Sequence, residues 1–488
     1  MTTASGALPE LVRLDACALS EAIHARRVAC VEVMRTFLDH IQHLNPTFNA
    51  IVSLQPAEAL LAQAAERDRQ LARGEDLGWL HGFPHAVKDL TATAGICTTY
   101  GSPIFKDFVP QEDALIVERL KRAGAIIIGK TNTPEFGLGS QTYNAVFGPT
   151  RNAYDPGRTA GGSSGGAAVA VALRLVPVAD GSDMGGSLRN PAAFNNVLGF
   201  RPSQGRVPRG PAAELFLQQL GTDGPMARTV ADLGLLLGVL AGYDARAPLS
   251  LADDHQPERR YAADSLAGNP AGQRLGWLAD LGGALPMQPG VLELCRAALG
   301  TFAALGCTVE EVVPDFDPER LWRAWIILRQ WLQTGALAEQ YRDPDRRTQL
   351  KPEAQWEVEH GLALSAQQVY EASMVRSAWY LTVLDLFQRF DLLLLPSAQV
   401  FPFDVSVHWP ARIAGVVMDT YHRWMQVAVP ATMAGCPAIS LPVGFNPDGL
   451  PMGIQVIGRP RADLDVLRLA WAYEQTTSWR AELPAALG

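Results

Sequence analysis

The sequence predicts an α/β fold, a sheet covered by helices on both faces. Three observations predict it. Short apolar runs bounded by glycine or proline recur along the chain. Amphipathic stretches with apolar positions three and four residues apart separate them. One helix-sized stretch, "GGAAVAVALRL" (165–175), is built almost wholly of small residues, as a helix lying close on a sheet requires.

Residues 10–45 read as helical, with Val31, Met34, Phe37, Leu38 and Ile41 on one face. A second amphipathic helix is expected over 112–123, "EDALIVERLKRA", leading into "GAIIIG" (124–129), a short buried strand. After the small-residue helix, "VPVAD" (176–180) reads as a strand and 227–243 as a helix. The stretches 273–280, 307–313, 390–396 and 437–445 read as further strands, with a helix over 290–305. The polar stretch 244–270 reads as a surface connection. Region 317–389 is helical and tryptophan-rich and interrupts the alternation. The chain therefore reads as a single domain over 1–488 with a helical insertion at about 317–389.

Composition narrows the function. Net charge is −9 and no Lys/Arg run forms a basic stripe, which argues against nucleic acid. The first residues lack the basic and apolar regions of a secretory signal, and apolar runs such as "LGLLLGVLAGY" (233–243) are too short to span a membrane. The six cysteines show no CxxC spacing, so reduced thiols, no zinc site and a cytoplasmic location are expected. No cofactor and no metal are implied.

Three motifs compete for the chemistry. "GAIIIGKT" (124–131) matches a phosphate loop, but Ala-Ile-Ile-Ile belongs inside a strand, and Pro134 and Gly137 argue against the helix that must follow. It reads as a strand end with a surface lysine, Lys130. "GGSSG" (161–165) matches the nucleophile elbow, which requires a later acid and histidine. His360, His408 and His422 lie downstream without an evident acidic orienter, so they read as surface or core residues.

The third constellation is "GFPHAVKDL" (82–90), "GGSSGG" (161–166) and "GSDMGGSLRNPAAF" (181–194). Ser187 follows two glycines where a helix should open, and Pro191 is tolerated in a first helical turn. Backbone N–H groups there are free, and they suit an oxyanion hole. A serine nucleophile needs a base. Without a placed histidine, Lys88 can serve if burial keeps it neutral, with Ser163 as a relay between them. Taken singly, each segment reads equally well as a packing loop, a surface lysine or a capping serine; their coincidence favours catalysis.

These residues resemble the amidase signature family. The resemblance extends over "GAIIIGKTNTPEFG", "NAVFGPTRNAYDPGRTAGGSSGG", "DGSDMGGSLRNPAAFNNVLGFRPSQGRVP" and "PATMAGCPAISLPVGFNPDGLPMGIQVIG", about residues 10–245 and 425–475. It implies a central mixed, twisted sheet covered by helices on both faces. It also implies a Ser–cis-Ser–Lys triad, with Ser187 as nucleophile, Ser163 as relay behind a cis peptide bond, and Lys88 as base. The oxyanion hole would be the backbone N–H groups of Met184, Gly185, Gly186 and Ser187. Asp183 and Arg189 would pair to hold the loop, and Ser164 would support the relay. The chain departs from the commoner pattern at Ser182 and Met184, where threonine is usual. The donors are backbone groups, so neither change threatens the mechanism; Met184 bears on the pocket wall.

The expected function is hydrolysis of a small-molecule carboxylic amide to acid and amine or ammonia. A carbamate, ester or urea-derivative hydrolase using the same triad is the alternative. A glutamine-dependent tRNA amidotransferase of the A type is less favoured, because 340–380 lacks the basic run and the Gly-Thr-Tyr-like stretch usual there. The intact Lys88/Ser163/Ser187 set argues against a silent binding protein. The expected partner is a small-molecule amide or carbamate, with no nucleic acid and no membrane; a homodimer is left open. Trp322, Trp325 and Trp331 share a helix, and such a stripe reads as core before pocket.

Overall fold

Two sheets organise the computed structural model, which describes residues 8–252 and 256–488. The smaller holds β1 (Ile51–Val52), β2 (Pro84–Lys88) and β3 (Ile126–Thr131) in the order β1–β3–β2, with β3 antiparallel to β1 and parallel to β2. The larger has eight strands: β4 (Ala179–Asp183), β5 (Leu198–Arg201), β6 (Thr222–Ala227), β7 (Arg274–Trp277), β8 (Thr308–Glu311), β9 (Leu392–Pro396), β12 (Ala438–Phe445) and β13 (Pro451–Gly458). Their order is β4–β6–β5–β12–β13–β9–β7–β8. A separate hairpin pairs β10 (Arg412–Ile413) with β11 (Val416–Val417). The large sheet is mixed. Its pairs are antiparallel from β4 to β9, and β7 runs parallel to both β9 and β8. β9 is buried throughout, as its unbroken "LLLLP" requires of a strand covered on both faces. Helices Arg189–Phe194, Val230–Leu240, Val291–Ala304 and Asp463–Gln475 pack on this sheet.

The expected strands and helices are present, with shifted ends. The stretch read as one helix over 10–45 is three: Glu10–Arg13, Ala16–His24 and Cys30–Phe48. Asp15 accepts a bond from the Ala18 N–H at 2.8 Å and starts the second, and Arg26, at φ 55°, lies beyond its end. β4 begins three residues later than expected and runs on to Asp183. The surface connection at 244–270 contains short helices at Pro257–Arg260 and Ala263–Leu266; residues 253–255 of it, and 1–7 of the N-terminal stretch, lie outside the described residues. Region 317–389 is helical, as Pro318–Arg342, Pro344–Arg347, Pro352–Leu362 and Ala366–Arg389. Among the described residues no helix is long and apolar enough to cross a membrane.

Lys130 corrects the reading of "GKT". Rather than lying at the surface, it is fully buried on β3, with Nζ donating to Thr91 O (2.5 Å) and Thr93 Oγ1 (2.8 Å). Burial pushes its amine down to about 8. A sequence pattern cannot distinguish a lysine ending a strand in solvent from one whose next turn folds back to receive it.

The small-residue helix, Gly165–Ala172, is buried along its whole length and contacts both sheets. A Cβ on Gly166 would lie 2.4 Å from the Asn132 nitrogen and 2.7 Å from the Ala50 oxygen, both backbone atoms. Neither can rotate away. Gly166→Ala is therefore expected to destabilise the protein by about 1–3 kcal/mol or more, the range of overpacked cores, measured by urea unfolding. Gly335→Ala, where a Cβ meets nothing within 4 Å, serves as the control.

Candidate active site

Lys88 ends β2, Ser163 and Ser164 precede the helix Gly165–Ala172, and Ser182 lies on β4. The fold brings all four together. Lys88 Nζ lies 2.8 Å from Ser163 Oγ, 2.8 Å from Ser164 Oγ and 2.9 Å from Ser182 Oγ. The lysine is wholly buried, and among the described residues no carboxylate forms an ion pair with it. Burial pushes its amine down to about 7, although Asp223, Asp180 and Asp183 pull the other way. A neutral amine has two N–H donors and one lone pair. Three hydroxyls saturate it when one of them donates.

Each nearby carboxylate is engaged elsewhere. Asp180 accepts from the Lys88 backbone N–H (3.2 Å) and lies 2.9 Å from His85 Nε2. Asp223 faces Arg209 Nε at 3.2 Å. Asp183 takes Arg189 Nε at 3.0 Å and Nη2 at 2.9 Å, with Arg201 Nη1 at 3.4 Å. Burial pushes the Asp183 carboxyl up. Arg189, then Arg201 and the Gly186 N–H, hold it well below the usual carboxylate range.

Ser187 lies two residues before the helix Arg189–Phe194, in the loop that leaves β4. The Ser164 N–H donates to its carbonyl oxygen at 3.2 Å, and the Gly162–Ser163 peptide is cis, as the resemblance implies. Asp183 braces the loop from within, accepting the N–H of Gly186 (2.9 Å) and of Leu188 (3.2 Å). Gly186 is thus one of the four expected oxyanion donors whose N–H is already engaged. Among the described residues the N–H groups of Met184, Gly185 and Ser187 find no hydrogen-bond acceptor. Ser163, Ser182, Met184, Gly185 and Ser187 line one cavity of about 350 Å³. A serine hydroxyl, a serine–lysine pair and unengaged backbone donors around one cavity can support acyl transfer.

The structure separates the remaining sequence expectations. Asp183 and Arg189 do pair. Ser164 bonds Lys88 and the Ser182 N–H (3.3 Å) rather than Ser163. Ser182, noted in the sequence only as a departure, is a third partner of Lys88. Among the described residues no histidine lines the cavity. His360 and His408 are exposed. His422 does have an acid nearby, Glu357 at 3.7 Å, but it is buried among Trp322, Trp325 and Trp356. Trp322 and Trp325 are buried and stacked, as a core stripe should be, and Trp331 is half-buried. Among the described residues no cluster of three or more metal-ligating side chains occurs.

Comparison with known proteins points to one family. The Amidase family pattern matches residues 32–467. An acylamidase of Rhodococcus erythropolis is 34% identical, with 97% of each chain covered. The A-type chain of the glutamyl-tRNA(Gln) amidotransferase of Thermosynechococcus vestitus is 35% identical, over 93% of this chain and 96% of its own. The crystal structure of a bacterial aryl acylamidase of the amidase signature family superposes with a TM-score of 0.89 at 30% identity, covering 96% of each chain.

Breaking a buried ion pair by removing one partner leaves an uncompensated charge. Arg189→Met strands Asp183 at zero exposure and is expected to cost about 3–5 kcal/mol, read as a lowered urea midpoint. An unchanged midpoint would mean that Arg201 alone suffices to hold Asp183.

Proposed function

The chain belongs to the amidase signature family, and on that premise we propose that it hydrolyses a small-molecule carboxylic amide to the acid and an amine or ammonia. The observation that carries this reading is the buried Lys88 amine 2.8 Å from the Oγ of Ser163, which lines the same cavity as Ser187. Ser187 Oγ attacks the amide carbon. Its proton passes to Ser163, whose own proton goes to neutral Lys88. The N–H groups of Met184, Gly185 and Ser187 receive the developing oxyanion, while Asp183 holds Gly186. The relay then runs backwards to protonate the leaving amine, and water releases the acyl group from Ser187 by the same route. The helices of 317–389 form the substrate-shaping part, since Arg329, Gln333 and Leu337 line the same cavity.

The likeness to an A-type amidotransferase chain raises a second reading, in which the amide is glutamine and ammonia goes to a partner. The charges in the cavity disfavour it. Free glutamine carries an α-ammonium group that needs a counter-charge once desolvated. Among the described residues lining the cavity, Asp183 is the one carboxylate, and Arg189 already holds it. Carbamates, esters and ureas present a similar carbonyl to the same groups, so a panel of all four classes is the direct test of substrate class.

Two outcomes follow. A fluorophosphonate should label Ser187, shown by peptide mass spectrometry, and Ser187→Ala should abolish both label and turnover; a label on Ser163 would refute the assignment. The pH profile tests the base. Protonated Lys88 cannot accept a proton, so kcat/KM should rise with pH through an inflection near 7, where burial holds the amine. Lys88→Ala should cost at least about 10²–10⁴-fold and remove the inflection. Asp223→Asn withdraws a charge that favours the protonated amine, so it should move the inflection to lower pH.

A further inference from the structure

We propose that Arg329 determines specificity, selecting amides that carry a second oxygen acceptor, a carboxylate or carbonyl, beside the helix Pro318–Arg342. This deepens the hydrolase reading and rests on it. Arg329 is buried, yet it lines the cavity that holds Ser187. Its Nε donates to Glu357 Oε1 at 2.7 Å, and its Nη2 donates to Tyr421 OH at 3.0 Å. Tyr421 OH in turn donates to the same Glu357 oxygen at 2.5 Å. Its face lies over Trp325, with the guanidinium carbon 5.3 Å from the ring centre. These contacts fix the plane of the guanidinium and leave one end unspent. Among the described residues Nη1 meets only the Met184 sulfur, at 3.4 Å. A thioether is a weak acceptor, and a guanidinium N–H₂ in a cavity is a strong donor.

The same wall carries more polar groups without good partners. Gln333, one turn on, has its Nε2 at 3.9 Å from the same sulfur. Gln340 also lines the cavity, and its buried Oε1 has no partner. Residues 329, 333 and 340 lie on one stripe of the helix. A wall meant only for apolar groups would not place a fixed cation and two amides there. A substrate oxygen at Nη1 would gain a charge-assisted hydrogen bond in place of the weak one to sulfur. Arg209 is the other cation of the cavity, but it faces Asp223 and is half exposed.

The test compares matched pairs. On the acyl side, succinanilic acid is set against 4-methylpentananilide; on the amine side, 4-acetamidobenzoate against 4-acetamidotoluene. Dissociation constants are measured by calorimetry on Ser187→Ala, so the result does not depend on turnover. In at least one pair the acceptor-bearing member should bind about 10- to 100-fold more tightly. Arg329→Met combined with Glu357→Gln, which removes both charges of the buried pair together, should erase that preference, and Arg209→Gln should keep it. Equal binding within both pairs, binding by neither member, or a preference lost with Arg209→Gln and kept without Arg329 would overturn the proposal. If the double variant does not fold, the pair preference and its persistence in Arg209→Gln decide. Failure of the hydrolase reading is separate: wild-type protein would turn over neither member of a pair while the binding preference remained.

Discussion

The site depends on one unfavourable act, the burial of a lysine amine away from every carboxylate that could neutralise it. A charged ammonium in that position would be strongly disfavoured, and a neutral one is tolerated only if its hydrogen-bonding capacity is met. Three serine hydroxyls meet it. Ser163 and Ser164 come from the loop before a helix and Ser182 from the large sheet, while Lys88 itself comes from the small sheet. The two sheets meet at β2 and β4. The lysine and its three serines therefore sit at the junction of the two sheets, where neither sheet alone could assemble them. The carboxylates nearby are the danger to this arrangement. Asp180, Asp183 and Asp223 are each tied to His85, Arg189 or Arg209, so they act on Lys88 as a field and not as ion-pair partners.

Close approach is the second constraint, and glycine supplies it in two forms. Gly166 lets the small-residue helix lie directly on backbone atoms of residues 50 and 132. Gly186, at φ 98°, supplies the left-handed turn that swings the loop from β4 towards the helix Arg189–Phe194. With that turn made, both oxygens of Asp183 reach loop N–H groups, and the remaining donors are left to the cavity. On the proposed mechanism the loop is thus shaped before substrate arrives, which is where electrostatic stabilisation of an oxyanion gains most.

Much of this arrangement was legible in the sequence because the candidate residues lie in short stretches whose composition is itself unusual. Repeated glycines around Ser163 and Ser187, and a lysine after an apolar strand, carry their chemistry locally. Most strands and helices were legible for the same reason, since hydrophobic period is a local property. What could not be read was pairing at a distance. Ser182 as a partner of Lys88, Asp180 with His85, and Lys130 folded under Thr93 each join segments 37–95 residues apart. The Arg329–Glu357–Tyr421 group joins residues 28 and 92 apart in a region where the sequence showed only a tryptophan stripe. The break of the first helix was also non-local in part, because Asp232 of a distant helix binds the N–H groups of Ala16 and Cys17 at 3.0 and 2.8 Å.

The helices of 317–389 and the loop that leaves β4 are not independent parts. Trp325 lies so close to Gly185 that a Cβ there would come within 3.0 Å of its ring, and Met184 has its sulfur against Arg329. The same residues carry backbone N–H groups assigned to the oxyanion. On the proposed mechanism, residues 317–389 therefore press on the atoms that would stabilise charge as well as on the wall of the cavity. A side-chain change on this helix shifts the loop by whatever the packing cannot absorb, and packed interiors absorb little. On that mechanism, specificity and rate would be coupled through one contact surface. The helix then has two tasks along its length: Trp325, wholly buried, presents a flat ring to Gly185, while Gln333 and Gln340, two turns and more beyond it, line the cavity.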